Sequence, residues 1–400
     1  MPAVRRRLLM LDFEYSLKTN IVFGENRSDS AGELCARYGA KKVLVVYGGD
    51  YLKKSGLLDR ILNSLKDNGL KWTEFSDVIP SPTLESIAKG LEIFKREKCD
   101  FILSIGGGSA IDTGKAIALG TQTASIEELW DRVFINYEPL ETPVKSGVVL
   151  TTAASGSETG DSCVIVSGNK KQIGTTASCR PVFAILDPVN LLTLPPFQTA
   201  CGAADILSHL QERYFVNVPH NDLNDRFLEA AMRLTIQTAE LLLLHPDDLE
   251  LRSQLMWTST IGHNGLLDVG RNGGDWACHF IEHEISARLP IVHGEGMAMI
   301  TPAWMRFVSK RPECRDRMKQ FASRVWGAEF PEDEDYGIEL AIERQVNWYR
   351  LLGLRSSLKN VDGFTEDMAK EIADSFGWTP GQFVTLDRDS IFEILRNAMK

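Results

Sequence analysis

Three of the chain's seven histidines fall within fifteen residues, at His279, His283 and His293. His279 and His283 are four positions apart, and Asp205 and His209 have the same spacing earlier in the chain. On a helix this spacing places both members of each pair on one face, about one turn apart. One carboxylate with several imidazoles suits a borderline divalent cation such as Fe²⁺ or Zn²⁺. The pattern therefore indicates a metal site that could still accept a substrate oxygen.

The same residues have a simpler interpretation when each is taken alone. A single histidine on a helix face is usually a hydrogen-bonded core or surface residue, and an Asp/His pair one turn apart can be a local hydrogen bond. Both interpretations stay open on spacing alone. The three remaining histidines, His220, His245 and His263, are interpreted as structural.

A run of glycines follows a β-rich segment in the first half of the chain. The segment Phe101–Ile105 leads into Gly106-Gly107-Gly108-Ser109, and a helix is predicted to begin at Ala110. Glycines there let the backbone approach a phosphate, while exposed N–H groups and the positive helix end favour an anion. The run matches neither G-x-G-x-x-G nor the P-loop pattern. A pyrophosphate site and a simple tight turn between strand and helix are both open.

Hydroxyl side chains are concentrated just after another predicted strand, at Thr151, Thr152 and Ser155. Asp112 and Lys115 follow the glycine run on the first predicted helical turns. Ligands of open α/β folds bind at the carboxyl edge of the sheet, where such groups can contact ribose and phosphate. A polar loop that caps a helix is the alternative.

The order of the elements predicts two domains. Short β-rich runs alternate with helical patterns in the first half, which is typical of a parallel sheet wrapped by helices. Beyond Leu194 helical periodicity dominates. The 400 residues also exceed the ~250–300 at which one hydrophobic core stops growing. We therefore predict an α/β Rossmann-like domain with a parallel sheet over residues 1–194 and an all-α domain over residues 195–400. The predicted strands are 42–47, 101–105, 146–151 and 182–186, and the predicted helices include 57–69, 203–215, 225–244, 249–267, 275–287, 312–326, 336–352 and 365–376.

Charge and composition argue against several classes of protein. A net charge of −10, from 54 acidic and 44 basic residues, disfavours a nucleic-acid-binding protein. Seven scattered cysteines without a C-x-x-C pair fit free thiols in a reducing cytosol. The N-terminal apolar run Leu8–Leu11 is too short for a signal peptide, and no stretch approaches the ~20 apolar residues of a spanning helix. We expect a cytoplasmic protein that acts on small molecules and binds neither nucleic acid nor membranes.

Six segments of the chain carry a resemblance to a known family, and together they cover nearly its whole length. They are Lys18–Gly24, Gly106–Lys115, Thr151–Glu158, Leu194-Pro195, Gly202–Asp205 with His209, and His279–Glu284 leading to His293-Gly294. The chain resembles the iron-containing (group III) alcohol dehydrogenases, and among them the butanol dehydrogenase and aldehyde reductase branch. The 70 positions from His209 to His279 and the 14 from His279 to His293 are close to what the metal site of that family requires.

The resemblance implies roles for the histidines and the aspartate. The metal would be bound by four side chains, those of Asp205, His209, His279 and His293. His283 is unligated in the family, and it would lie near the nicotinamide and relay a proton. The implied architecture is the two-domain arrangement of dehydroquinate synthase-like proteins, in a homodimer.

The resemblance also implies which residues bind the cofactor. The pyrophosphate would be held by Gly107, Gly108 and Ser109. The nicotinamide side would be lined by Asp112, Thr151, Thr152 and Ser155. Lys171 is similar to the family's lysine that reaches a cofactor ribose.

The segment expected to face the adenosine ribose departs from the family pattern. Tyr47-Gly48-Gly49-Asp50-Tyr51 stands where NADP-using relatives usually read Gly-Gly-Gly-Ser and NAD-using ones carry an aspartate that matches Gly49. Gly49 leaves room for a 2′-phosphate, whereas Asp50 would repel one or accept a hydrogen bond from a ribose hydroxyl. Lys53 and Lys54 could offset the charge of Asp50, so we favour NADP(H) over NAD(H).

The sequence thus predicts a metal-dependent NAD(P)H oxidoreductase that interconverts alcohols and aldehydes, with small aliphatic substrates such as butanol and butyraldehyde. Fe²⁺ is the expected metal, and Zn²⁺ is the alternative. Trp257, Trp276 and Phe280 are candidates for an apolar wall of the substrate pocket, with core packing as the other interpretation.

Two other functions fit the sequence less well. A lyase or cyclase of the dehydroquinate synthase-like type would need many Lys and Arg residues around a phosphorylated, carboxylated substrate. Only Arg271 and Arg288 lie in the segment around the histidines. A non-catalytic nucleotide-binding protein would have damaged ligand positions, and all four are present here.

Overall fold

The computed structural model describes residues 10–218, 221–330 and 334–400, which form two compact units. The sheet unit comprises residues 17–202 and 241–264, and the helical unit comprises the described parts of residues 1–16, 203–240 and 265–400. The strands are β1 Asn20–Phe23, β2 Lys42–Tyr47, β3 Lys71–Phe75, β4 Phe101–Gly106, β5 Lys145–Leu150, β6 Ser162–Ser167, β7 Lys170–Thr175 and β8 Phe183–Leu186. The α-helices are α1 Ala31–Arg37, α2 Tyr51–Lys54, α3 Leu57–Asp67, α4 Leu84–Arg96, α5 Gly108–Gly120, α6 Ile126–Leu129, α7 Pro196–Tyr214, α8 Asp222–Leu244, α9 Leu249–His263, α10 Ala277–Ser286, α11 His293–Val308, α12 Arg315–Trp326, α13 Glu334–Leu351, α14 Glu366–Ser375 and α15 Arg388–Ala398.

The sheet unit is built on six parallel strands in the order β1-β8-β5-β4-β2-β3. Strands β2, β4 and β5 are buried along nearly their whole length, as expected of parallel strands covered on both faces. The register pairs Gly106 at the end of β4 with Leu150 at the end of β5. The segments that follow these two strands therefore emerge side by side at one edge of the sheet. The predicted fold class is confirmed.

Both faces of this sheet are covered by helices of the same unit. One apolar cluster joins the sheet to α1 and α3, and another joins it to α4 and α5. Gly147 in β5 makes room for an aromatic ring of the first cluster, because a Cβ there would lie 2.2 Å from Cζ of Phe183. The ring of Phe183 stacks on that of Phe101, with 6.1 Å between the centroids.

An unpredicted β-hairpin lies between β5 and β8 in the chain. Strands β6 and β7 are antiparallel and are joined by Gly168-Asn169, with Gly168 at a φ of 60°. Two-residue loops of this type favour glycine because they need positive φ angles. The hairpin carries Lys171, which is buried.

The helical unit is organised around α11, which is buried along nearly all of its length. An apolar helix without a polar face belongs in the middle of a domain. Helices α10, α13 and α15 pack against it. The segment Leu289-Pro290 separates α10 from α11, since proline at this point prevents one continuous helix.

Helix α9 belongs to the sheet unit, although a single boundary after Leu194 would assign it to the second domain. Its contacts explain this grouping: Arg252 donates to Oγ1 of Thr199 at 2.7 Å, and Thr260 donates to Oε1 of Glu158 at 2.6 Å. Periodicity along the chain predicts the helix but not the partner on which it packs. Among the described residues, no helix is long and apolar enough to cross a membrane.

Candidate metal site and cofactor-binding edge

Helix α7 carries three of the side chains that form the candidate metal site. Asp205, His209 and Glu212 are spaced by four and three residues, so they lie on one helix face. All three are buried, with 4%, 6% and 4% of their surface exposed. Oδ1 of Asp205 lies 3.6 Å from Nδ1 of His209.

Two other helices bring their histidines to this face. His279 is on the first turns of α10, and its ring centroid lies 4.7 Å from that of His209. His293 is the first residue of α11, and its Nε2 lies 3.4 Å from Oδ1 of Asp205. Ligand atoms of Asp205, His279 and His293 all lie within 4.8 Å of one another. Three helices of the helical unit thus bring together the four side chains that the sequence singled out.

The protonation state of His279 suits a metal ligand. Burial lowers its pKa to about 3, and the neighbouring His293 contributes to this shift, so the imidazole is neutral at physiological pH. Nδ1 of His279 contacts Oε1 of Glu212 at 3.2 Å. Its Nε2 is buried and has no hydrogen-bond partner among the described residues. A buried polar atom of this kind is costly unless something binds it. A divalent cation held by nitrogen and oxygen ligands would satisfy it, so the residues present fit a metal.

His283 lies beside this group. The ring centroids of His283 and His293 are 5.5 Å apart, and Glu282, His283 and His293 form a second set whose ligand atoms lie within 4.8 Å of one another. The two sets share His293, whose Nε2 faces Asp205 while its Nδ1 contacts Glu282. His283 therefore lies next to the predicted ligands but outside the set formed by Asp205, His279 and His293.

Trp276 has an unusual backbone conformation at the N-terminus of α10. It precedes α10 with a φ of 63°, which is rare for a bulky side chain and recurs at functional sites. Its ring lies edge-on to the imidazoles of His279 and His209, with centroids at 5.1 Å and 6.0 Å. The guanidinium of Arg213 covers the ring at 4.6 Å.

The other two aromatic candidates have different surroundings. Phe280 packs edge-on against Trp378, with 4.7 Å between the centroids. Trp257 belongs to the sheet unit and packs edge-on against Phe23 at 6.2 Å. Of the three, Trp276 is therefore the one whose ring contacts the predicted ligands. His220, interpreted above as structural, lies outside the described residues.

The glycine run forms the carboxyl edge of the sheet unit, as predicted. Gly107 caps α5 at its N-terminus, and α5 begins at Gly108. A Cβ at Gly108 would lie 2.8 Å from Oγ of Ser155, and one at Gly107 would lie 3.0 Å from the side chain of Thr152. A side chain at either position would therefore require Ser155 or Thr152 to shift. Together with the open N-terminus of α5, this is an arrangement that suits a phosphate group.

The loop of residues 151–161, called the hydroxyl loop below, is held from inside by a buried ammonium group. Nζ of Lys115 donates to the carbonyls of Ser157, Gly160 and Ser162 and to Oγ of Ser157, at 2.7 to 3.0 Å. Oγ of Ser157 donates to Oδ1 of Asp112 at 2.6 Å. The amide of Val164 donates to Oδ2 of Asp112 at 2.9 Å. Both carboxylate oxygens of Asp112 thus take part in shaping the loop, and its contact with the nicotinamide stays a prediction.

The segment predicted to face the adenosine ribose lies at the same edge. Gly49 has a φ of 75°, and Asp50 is exposed just before α2. The hydroxyls of Tyr51 and Thr151 are 3.0 Å apart, which links this segment to the hydroxyl loop. No role for Tyr51 is predicted from the sequence.

Two carboxylates of the metal site were also missed, Glu212 and Glu282. Their spacing was a usable signal, because Glu212 is three residues beyond His209 and Glu282 is three beyond His279. Both therefore share a helix face with a predicted ligand.

Comparisons with known proteins agree with this geometry. Residues 18–188 match the family model described as iron-containing alcohol dehydrogenase. Residues 199–399 match the model for the C-terminal part of the Fe-containing alcohol dehydrogenase family. The chain belongs to the iron-containing alcohol dehydrogenase family. It is accordingly an enzyme that interconverts alcohols and aldehydes with a metal and a nicotinamide cofactor. The alternative functions, a lyase or cyclase and a non-catalytic nucleotide-binding protein, are not favoured.

Relatives with assigned activities are similar to the enzyme over most of its length. NADH-dependent butanol dehydrogenase A of Clostridium acetobutylicum is 36% identical over 97% of this chain and all of the relative. The NADPH-dependent aldehyde reductase YqhD of Escherichia coli is 32% identical over 88% of this chain and 89% of its own. Among solved structures, NADH-dependent butanol dehydrogenase A of Thermotoga maritima matches with a TM-score of 0.92 and 35% identity, covering 98% of this chain and all of that one.

Proposed function

We propose that the enzyme interconverts small aliphatic alcohols and aldehydes, such as butanol and butyraldehyde, at a metal held by Asp205, His209, His279 and His293. The observation that carries this proposal is the convergence of these four side chains from three helices around Nε2 of His279, a buried atom with no hydrogen-bond partner among the described residues. The butanol dehydrogenase activity named for two of the relatives above supports the substrate class.

When bound, the metal polarises the substrate oxygen and the nicotinamide carries the hydride. The side chains around them have separate tasks. Neutral imidazoles supply nitrogen lone pairs, and the indole of Trp276 excludes water beside His209 and His279. A ring nitrogen of His283 exchanges the proton of the substrate hydroxyl, the general acid-base role that histidine most often takes.

At the carboxyl edge of the sheet unit, we propose that Gly107, Gly108 and Ser109 bind the cofactor pyrophosphate. The nicotinamide side is assigned to Asp112, Thr151, Thr152 and Ser155, and a ribose contact to Lys171. Close packing of Gly107 and Gly108 against the hydroxyl loop supports this assignment.

We propose NADP(H) as the preferred cofactor, with the choice made at Gly49 and Asp50. Gly49 offers no side chain to exclude a 2′-phosphate, and Lys53 and Lys54 follow on α2. The relatives above carry either NADH or NADPH in their names, so they do not decide between the two.

We further propose Fe²⁺ as the native metal, as the family name indicates, with Zn²⁺ as the competitor because it binds such ligands more tightly. A cytoplasmic homodimer is proposed as the working form. All seven cysteines are buried and none forms a disulfide, which supports a reducing compartment. Light scattering should give twice the chain mass of 44.6 kDa.

The test begins with protein purified without oxygen. Metal analysis should find one Fe²⁺ per chain, and butyraldehyde should drive oxidation of NADPH faster than of NADH. Chelation should abolish both reactions, and added Fe²⁺ should restore them. Protein that consumes neither cofactor with any member of an aldehyde panel would contradict the proposed function.

Three histidine variants separate the proposed roles. His279→Ala should abolish metal retention and turnover. His283→Ala should keep the metal and lose rate by about 100-fold or more, as expected for a general acid-base group. His245→Ala, at an exposed position of the sheet unit, is the matched control and should change neither. One metal per chain and unchanged activity in His279→Ala would refute the ligand assignment.

A further inference from the structure

We propose that Glu212 and Glu282 are positioning residues for the metal, each holding the imidazole of a ligand on a neighbouring helix. Glu212 on α7 holds His279 on α10, and Glu282 on α10 holds His293 on α11. The proposal rests on the metal site proposed above. It adds two carboxylates that fix the direction of the imidazoles without binding the metal themselves.

Glu212 contacts both the backbone and the side chain of His279. Its Oε1 accepts from the amide N–H of His279 and contacts Nδ1 of the same residue, both at 3.2 Å. Helix α10 has no cap from its own N-cap side chain, that of Trp276. Glu212 therefore caps α10 from another helix and fixes the residue that carries the ligand.

Glu282 has an equivalent relation to His293. Its side chain is fully buried, and its Oε2 contacts Nδ1 of His293. Space for it is provided by Gly296, one turn after His293 on α11, where a Cβ would lie 2.6 Å from Cγ of Glu282. Any larger residue at 296 would push the carboxylate away from the imidazole.

These contacts determine which ring nitrogen is available to a metal. A carboxylate at Nδ1 takes the N–H of the ring, which leaves the lone pair on Nε2. Nε2 of His279 is the buried atom without a partner in the described part of the chain, and Nε2 of His293 faces Oδ1 of Asp205. Ligand atoms of Asp205, His279 and His293 lie within 4.8 Å of one another, so one metal could contact both imidazoles. Carboxylates in this position also make the imidazole a stronger donor.

A different role for Glu282 has to be separated from this one. Glu282, His283 and His293 form the second set of close ligand atoms, so Glu282 could itself bind a metal. A ligand and a positioning residue differ in what their removal does. Loss of a ligand abolishes binding, whereas loss of a positioning carboxylate weakens metal affinity by about 10- to 100-fold.

The experiment measures Zn²⁺ affinity of the full-length chain, stripped of metal, by competition with a chromophoric chelator. Glu212→Gln and Glu282→Gln keep the side-chain volume and remove the charge. Each should bind Zn²⁺ about 10- to 100-fold more weakly than the wild type. The control is Glu229→Gln, a buried carboxylate of the same unit that pairs with Arg324 and lies outside the site, and its affinity should equal that of the wild type. The visible spectrum of the Co²⁺ form should change in the two test variants only.

The backbone contacts of Glu212 require a second variant, since Glu212→Gln could fail to fold. Glu212→Asp keeps a carboxylate on this face of α7 and withdraws it by one methylene from both the amide N–H and Nδ1 of His279. It should show a weakened Zn²⁺ affinity together with the circular dichroism spectrum of the wild type. Wild-type affinity in folded Glu212→Asp would overturn the proposal for Glu212.

The remaining outcomes distinguish this inference from the function on which it rests. If His279→Ala loses Zn²⁺ but Glu212→Gln and Glu282→Gln bind it as the wild type does, the positioning role is wrong and the metal site stands. If His279→Ala binds Zn²⁺ normally, the proposed site is wrong and the positioning role falls with it. If Glu282→Gln loses Zn²⁺ as completely as His279→Ala, Glu282 is a ligand.

Discussion

Lys115→Met is the substitution that tests most directly how the hydroxyl loop is held. Only 1% of the lysine is exposed, and its Nζ donates to four oxygen atoms of Ser157, Gly160 and Ser162. Methionine keeps the unbranched apolar stem and removes the ammonium group. The substitution thus leaves the packing of the stem in place and takes away the donors.

The size of the effect follows from what is left behind. Desolvation raises the pKa of Asp112, and the charge of Lys115 opposes this rise, so the substitution also removes a cation beside that carboxyl. Each buried oxygen that loses its donor destabilises the fold by about 1–3 kcal/mol. Part of this loss is offset because the variant no longer has to bury an ammonium group. Removing one member of a buried charged contact typically costs ~3–5 kcal/mol, and we expect a loss of stability of this size.

Two measurements check the prediction. In thermal unfolding of the metal-free protein, the midpoint of the sheet unit should be on the order of 10 °C lower than in the wild type. This shift assumes about 2–4 °C per kcal/mol, the value typical of a unit of about 200 residues. Titration with the nicotinamide cofactor should give a Kd raised about tenfold or more, which corresponds to ~1.4 kcal/mol or more. Zn²⁺ affinity should not change, because the proposed ligands belong to the helical unit.

Lys145→Met is the matched control. Lys145 is exposed at the start of β5, and its Nζ donates to one carbonyl, that of Tyr38, at 3.2 Å. Its loss should change stability by no more than ~0.5 kcal/mol. If Lys115→Met unfolds at the temperature of the control and binds the cofactor as the wild type does, the buried ammonium does not hold the loop, and the reasoning is wrong.

Three further substitutions test the proposed site. Gly108→Ala should raise the cofactor Kd at least tenfold and leave Zn²⁺ bound, because the new Cβ would lie 2.8 Å from Oγ of Ser155; an unchanged Kd would argue against a pyrophosphate site. Trp276→Ala should raise kcat/KM for longer and branched aldehydes relative to butyraldehyde, and a constant ratio across the panel would show that the indole is not a pocket wall. Asp50→Asn should raise kcat/KM for NADPH relative to NADH by about fivefold. This is the effect of removing ~1 kcal/mol of repulsion between the carboxylate and a solvent-exposed phosphate. An unchanged or lower ratio would mean that Asp50 does not face the 2′-position.

The strands that the sequence predicted are those in which local pattern and tertiary role agree. Residues 42–47 form β2, and residues 101–106 form β4, because a strand buried on both faces needs a continuous apolar run that ends at a turn residue. Strand β1 was missed because its four residues, Asn20–Phe23, are too few to show a period. The hairpin β6–β7 did have a signal in Gly168-Asn169 between two β-rich runs.

The side chains of the candidate metal site could be picked out from the sequence in part. A spacing of four residues on a helix predicts which side chains share a face, as in the pairs Asp205/His209 and His279/His283, but their roles as ligands are implied only by the family resemblance. His293 was harder, because nothing local places the first residue of α11 beside Asp205. The family resemblance supplied that relation, and three-helix packing supplies its physical cause.

The same spacing rule cannot tell a ligand from a residue that positions a ligand. Glu212 shares the face of α7 with Asp205, and both are buried carboxylates. They differ in the atoms that they face. Oδ1 of Asp205 lies near Nε2 of His293 and Nδ1 of His209. Oε1 of Glu212 instead lies near the amide N–H and Nδ1 of one residue, His279. That distinction arises from the packing of α7 against two other helices and is absent from the sequence of α7 itself. Removal of Asp205 should therefore abolish metal binding, whereas removal of Glu212 should only weaken it.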